Sequence, residues 1–299
     1  MSGRGKSQKT LHLMDAMADI LEQIQPATVR AVCYRLFVAG LIPDMSKNST
    51  SKVSRHLVNA REDGAIPWEW VVDENRQAER AATWNNPDEI IRQAARQYRK
   101  DFWRDQPSWV EVWSEKGTVR GTLAPVLNKY GVTLRVMHGY SSATALHDAA
   151  VETQASEKRL TILYVGDHDP SGLAMSQIDI PERLARYGGD ARIWRVALTP
   201  SDIADHNLPG FDADSKAKDS RHRWFVEHYG TDCYELDALP PPILRQNVED
   251  AIKAYIDADA WQHSATVEAA ETASMAEFLA AWGSISGQVS KSLPAGGAP

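Results

Sequence analysis

The chain has 299 residues, carries a formal net charge of −7 and contains two cysteines, Cys33 and Cys233. Such a length accommodates two small domains and buries roughly three quarters of the unfolded surface. No run of 18 apolar residues occurs, two distant cysteines give no disulfide framework or thiolate metal site, and Leu11–Ile24 is too charged to be a secretory h-region, so the expectation is a non-membrane protein of the cytoplasm.

The charge is uneven: residues 1–61 sum to +5 and the remainder to −12. A basic head on an acidic body suits a protein that meets phosphate at one end. In chain order, Leu13, Met14, Met17, Ile20, Leu21 and Ile24 recur at helical spacing, closed by Pro26. A second helix is predicted from Thr28, as N-cap, to Gly40, with Val29, Val32, Cys33, Leu36 and Phe37 as its apolar stripe. A polar loop over Pro43–Ser51 leads to a third helix over Lys52–Asp63, stopped by Gly64. Ile66–Asp73 reads as a short β segment, so the order is that of a winged helix.

On a wheel of about 100° per residue, Val53, Leu57 and Ala60 of the third helix point one way. Lys52, Arg55, His56 and Asn59 share an opposite arc, which a DNA recognition helix requires: an apolar side to seat it and donors toward groove and phosphates. A solvated polar face is the plainer alternative. A linker helix follows, with Asn86 as N-cap, Pro87 at its first position and Glu89 completing a capping box. Trp68, Trp70, Trp84 and Trp103 are read as core and domain-packing residues.

From Trp109 the pattern alternates between strands (Trp109–Trp113, Thr133–His138, Leu160–Val165, Ala191–Leu198) and helices (Thr118–Lys129, Ser142–Thr153, Leu173–Tyr187, the last interrupted by Pro181). This predicts a mostly parallel sheet covered by helices on both faces, with ligands beyond the carboxyl ends of the strands. An acidic irregular stretch to Lys218, a helix over Asp219–Tyr229, the string Glu235-Leu236-Asp237 and a helix over Ile243–Ile256 come next. The tail beyond Trp261 is rich in Ala, Glu and Ser, and disorder is expected over Ser290–Pro299. The expected division is a winged-helix domain with linker helix at 1–106, an α/β metal-binding domain at 107–261 and a tail at 262–299.

Two of the predicted strands end in acids, Glu115 after the first and Asp167 and Asp169 after the third. Asp167 and Asp169 can face one side of an extended turn, and Glu115 completes a hard-oxygen cluster suited to Mg²⁺ or Mn²⁺. Three carboxylates at close range repel unless a cation lies among them. Gly166 and Gly172 are expected to leave backbone room for a phosphate.

Glu115-Lys116 and Gly166-Asp167-His168-Asp169-Pro170-x-Gly172 resemble the Toprim signature of topoisomerases, primases and related nucleases. These variants most resemble the topoisomerase VI A subunit and its meiotic double-strand-break relative, above all the small stand-alone "mini-A" homologues. The resemblance covers roughly residues 10–260. It implies a Toprim domain in which Glu115, Asp167 and Asp169 bind the metal, with Lys116 beside them as a DNA contact. Relatives carry the cleaving tyrosine within Arg-x-x-aromatic-Tyr, matched here by Arg30-Ala31-Val32-Cys33-Tyr34, with Cys33 in place of the aromatic residue.

On that resemblance Tyr34 is the nucleophile, its hydroxyl off the apolar stripe, and Arg30 and Arg61 supply positive potential. Glu235 is either functional or a structural ion-pair residue, and Asp219 and Arg221 are equally open. The implied activity is metal-dependent cleavage of double-stranded DNA by tyrosine transesterification, in a homodimer acting on the nucleoid, with an ATPase B-type subunit as a possible partner. Two alternatives stay open: a hydrolytic Toprim nuclease, and a non-catalytic DNA-binding regulator inhibited by its tail from His263 onward.

Overall fold

The computed structural model describes residues 8–72, 83–137 and 143–292. Expectations that fall on Met1–Ser7, Asp73, His138, Ser142 and Leu293–Pro299 lie outside these residues. The chain divides into two compact units, Met1–Arg76 with Ser108–Tyr255, and Gln77–Pro107 with Ile256–Pro299. The N-terminal helices and the α/β segment thus share one unit, and the linker helix groups with the tail.

In the first unit, α1 (Gln8–Ile24), α2 (Val29–Val38) and α3 (Lys47–Glu62) enclose a core of Met17, Leu21, Val32, Leu36, Val53 and Leu57. Thr28 caps α2 by accepting the Ala31 N–H at 3.0 Å. α3 begins five residues earlier than its apolar period indicates, because Ser46 accepts the Ser49 N–H and starts the helix within the Ser/Thr run. The expected wing differs in part. Trp68–Trp70 is a 3₁₀ turn, and β2 (Val71–Val72) pairs in parallel with β1 (Ala27–Thr28).

The larger part of this unit is mixed α/β. The strands β3 (Trp109–Ser114), β4 (Thr133–Val136), β5 (Leu160–Val165) and β6 (Ala191–Ala197) form a parallel sheet in the order β4-β3-β5-β6. Every residue of β5 is buried, which explains why Thr161 alone interrupts its apolar run. Leu160, Ile162 and Tyr164 pack with Trp113 against α6 (Ala143–Ala155) and α8 (Ile180–Arg186). Val112, Leu163 and Val165 alternate to the other face and are also buried. On the chain's path around the sheet, α5 (Val119–Tyr130) packs against α11 (Pro241–Lys253), which also touches β5 and β6.

Between α7 (Pro170–Ala174) and α8 a π turn spans Met175–Asp179. Pro181 cannot donate to the preceding turn, and widening the helix there avoids a break. Beyond β6 come α9 (Pro200–Asp205), with a full Thr199/Asp202 capping box, and the antiparallel pair β7 (Phe211–Asp212) and β8 (Asp232–Cys233) around α10 (His222–Tyr229). A 3₁₀ turn at Leu236–Ala238 leads into α11.

The second unit contains α4 (Pro87–Gln97), a 3₁₀ turn at Phe102–Arg104 and α12 (Ala258–Ser292). Asn86 caps α4, but Glu89 bonds Asn85 rather than the cap residue, so the capping box is half formed. α12 is a single helix of 35 residues that includes the segment expected to be disordered at 290–292. Trp261 meets the edge of Phe102 at 4.7 Å, Lys100 N–H donates to Glu268 at 2.8 Å, Ser264 donates to Asp105 at 3.1 Å, and Tyr98 donates to Glu271. Among the described residues no helix is long and apolar enough to cross a membrane.

Candidate functional site

β3 and β5 are neighbours with Ser114 opposite Val165, so Glu115 and the Gly166–Asp169 segment leave the sheet side by side at its carboxyl edge. That register carries the acid pattern from sequence into space. Asp169 ends up as the N-cap of α7, accepting the Gly172 N–H at 2.7 Å, while its other oxygen takes the Lys216 ammonium. Asp167 accepts Leu236 N–H at 2.7 Å and lies 2.8 Å from Lys116 Nζ. Burial raises the Asp167 pKa, against the pull of Lys116 and the Leu236 N–H.

Glu115 senses the same cluster. Its pKa is pushed up to about 7, first by burial and then by the charges of Asp167 and Asp169, with Lys116 and Lys216 offsetting only part. The three acids therefore form one electrostatic group. In charge and hardness they suit Mg²⁺ or Mn²⁺. Lysines supply the compensation here, however, and among the described residues no three His, Cys, Asp or Glu side chains converge in a ligating arrangement.

The turn after β8 brings a second set of acids to the same edge. Glu235 forms a two-pronged pair with Arg30 of α2, through Nε and Nη2. Asp237 accepts from Thr28 at 3.1 Å and from Lys116 at 3.2 Å. Burial pulls the Lys116 pKa down, but Asp167, Asp237 and Glu235 outweigh it and hold the ammonium above the usual lysine range. Lys116 is thus saturated by carboxylates rather than projected as a free DNA contact. A cavity of about 390 Å³ opens among Arg30, Lys116, Gly117, Thr118, Asp167, Glu235 and Asp237.

Tyr34 does not line this cavity, but the guanidinium of Arg30, which does, lies 5.8 Å from its ring centre. Contrary to the helical-wheel expectation the residue is only 4% exposed, because the Leu236–Ala238 turn packs over the polar side of α2, where Arg35 also donates to Ala238 O at 2.6 Å. Its pKa rises to about 12, first from burial and then from Glu235, with Arg30 and Lys116 opposing.

No family model matches the sequence, and no curated protein matches it.

The other expected residues divide. Arg61 does not reach the cavity: it donates to Trp68 O at 2.9 Å and stacks 4.2 Å from the Trp68 ring. Lys52 and Arg55 are exposed on α3, with His56 and Asn59 half-buried. Asp219 grips Arg221 in a local pair, and Arg221 adds positive potential at Glu115. Trp103 is buried, but Trp68 and Trp84 are 56% and 40% exposed, against the expectation of core tryptophans.

The motif glycines have a different role from the one expected. A Cβ on Gly172 would run into the backbone carbonyl of Asp167, and one on Gly166 would lie 2.7 Å from the Tyr164 ring. Both make room for the protein itself, not for phosphate. His168, between the two acids, turns inward to the edges of Phe225, Tyr229 and Tyr234, and burial lowers its pKa to about 4.

One organising residue was not singled out from sequence. Arg195 of β6 donates to the carbonyls of Gly166, Asp167, Gly172 and Leu198 and to Ser176 Oγ, and stacks 5.4 Å from the Tyr164 ring. It fixes the backbone that carries both aspartates. Nothing in the sequence separates it from Arg192 of the same strand. Lys216 offered no signal either, since its partner lies 47 residues away.

Proposed function

We propose that this chain cleaves DNA as a topoisomerase VI A-like protein, with a winged-helix head and a Toprim body. The observation that carries the reading is the shared cavity: Arg30 from α2 and Lys116 and Asp167 from the sheet edge line the same space, and the Arg30 guanidinium lies 5.8 Å from the ring of the buried Tyr34. Cationic and carboxylate groups beside a phenol are the parts that transfer of a phosphodiester to tyrosine requires.

On this reading a phosphate of double-stranded DNA competes with Glu235 for Arg30. The Tyr34 oxygen attacks phosphorus as its proton passes to the displaced Glu235 carboxylate, the bond to one deoxyribose oxygen breaks, that oxygen takes a proton from water, and the strand remains joined to Tyr34. Glu235 is the carboxylate whose charge bears most on the phenol as its proton leaves. Glu115, Asp167 and Asp169 would hold Mg²⁺ or Mn²⁺, relieving the compensation that Lys116 and Lys216 now supply. When bound, the ion neutralises charge developing on the phosphodiester. Two copies give the two half-sites of a homodimer, with an ATPase B-type subunit as partner and the nucleoid as the place of action.

The burial of Tyr34 favours a second reading. A phenol with its pKa near 12 is weakly activated, and a hydrolytic nuclease needs Tyr34 only to contact phosphate. Supercoiled plasmid incubated with the protein and Mg²⁺ or Mn²⁺, stopped with detergent and run with and without protease, separates the two. Product linked to protein in the wild type and lost in Tyr34→Phe supports transesterification. Free nicked product that persists in Tyr34→Phe and disappears in Asp167→Ala supports hydrolysis, and no cleavage by the wild type counts against both.

A further inference from the structure

A second groove, of about 250 Å³, lies between α2 and α3 and is lined by Val29, Arg30, Cys33, Thr50, Ser51 and Ser54. Its chemistry differs from that of the larger cavity. Thr50, Ser51, Ser54 and Arg30 line it beside Val29 and Cys33, and no carboxylate lines it, whereas Asp167, Glu235 and Asp237 all line the other; the Arg30 guanidinium itself is held by Glu235. In a chain of net charge −7, an acid-free groove is where an anion meets the least repulsion. Arg30 belongs to both spaces, so the two are joined through one side chain.

We infer that this groove is a cradle for the sugar-phosphate backbone, in which Ser51, Ser54 and Arg30 hold the stretch of nucleic-acid strand that leads into the Arg30–Lys116 cavity. The inference rests on the proposed action on DNA and names how the strand reaches the site. Thr50 shapes the wall, since its hydroxyl donates back to Ser46 O at 3.0 Å. Ser51 and Ser54 are the donors for a phosphate, and the half-buried Val29 suits the apolar face of a deoxyribose.

The helical arrangement of α3 gives this a sharp consequence. At about 100° per residue, Thr50, Ser51 and Ser54 cluster about 150° round the helix from the centre of the Lys52, Arg55, His56 and Asn59 arc. The face of α3 that adjoins the site is the hydroxyl face, and the cationic arc looks elsewhere. Strand engagement at the site therefore depends on Ser51 and Ser54.

The test uses the full chain and a fluorescein-labelled DNA duplex, with binding read by anisotropy in EDTA. The Ser51→Glu/Ser54→Glu pair sets two negative charges against the phosphate and weakens binding about tenfold or more. Ser51→Ala/Ser54→Ala weakens it about threefold with an unchanged melting temperature, and this pair decides the matter if the glutamates disturb folding. Wild-type affinity in both pairs overturns the cradle and leaves the DNA-cleavage reading standing. Failure of the wild type to bind duplex overturns the cradle and that reading together.

Discussion

Replacing Arg195 tests the physical argument for the site most severely. Its guanidinium reaches five acceptors, four of them carbonyls of the segments that carry Asp167 and Asp169 or follow them. Arg195→Met leaves these groups without the donor, at about 1–3 kcal/mol for each one that stays dry. Water entry and relaxation make the sum smaller than the parts, so the expected loss is about 3–5 kcal/mol, comparable to breaking a buried ion pair. Arg195→Lys keeps the charge but offers three donors in place of a planar fork, and an intermediate loss of about 2 kcal/mol is expected. Urea unfolding followed by tryptophan fluorescence reads both. At a slope of about 3 kcal/mol/M, Arg195→Met lowers the midpoint by about 1 M or more. A midpoint for Arg195→Met within experimental scatter of the wild type would refute the idea that Arg195 holds the loop.

Three further outcomes are expected. Glu115 has a folded pKa near 7 against 4.5 for the free side chain, so its contribution is fully present below pH 4.5 and is lost as pH rises through 7; Glu115→Gln in EDTA is therefore indistinguishable from wild type near pH 4.5 and more stable above pH 7, by at most about 3 kcal/mol, and a pH-independent difference in thermal melts contradicts this. Glu235→Gln removes a charge that raises the Tyr34 pKa and frees Arg30, so the Tyr34 phenol, followed by ¹³C NMR and assigned with Tyr34→Phe, titrates at lower pH, and an unmoved titration argues against their proximity. Trp261→Ala deletes the ring that packs on Phe102 and Trp103, costs about 3–5 kcal/mol in the second unit, and increases hydrogen exchange over 258–272 while leaving β5 protected.

The parallel sheet was legible because its strands obey a local rule: β5 is apolar but for Thr161, and β3 and β5 are each followed by acids in the turn beyond. That Glu115, Asp167 and Asp169 leave one edge of the sheet and influence one another electrostatically follows from the neighbouring of β3 and β5. What was not legible depended on distant chain. Tyr34 lies off the apolar stripe of its helix yet is buried, on a helix that the Leu236–Ala238 turn, some 200 residues later, packs against. The ion pairs of Lys116 with Asp237 and Glu235 join residues some 120 positions apart and were not legible either. The start of α3 was hidden because Ser and Thr serve both loops and helix caps, and Ser46 acts as the cap. Gly166 and Gly172 read as room for a phosphate, but the groups that approach them are Tyr164 and the Asp167 backbone.

The central claim is that Tyr34 becomes joined to a DNA strand. The most direct measurement is mass spectrometry of the protein after incubation with duplex DNA and Mn²⁺, denaturation, nuclease trimming and proteolysis. The account predicts that the peptide containing Tyr34 carries a nucleotide on the phenolic oxygen, and that Asp167→Ala lacks it. Cleaved DNA with an unmodified Tyr34 peptide, or a nucleotide on another residue, would contradict it.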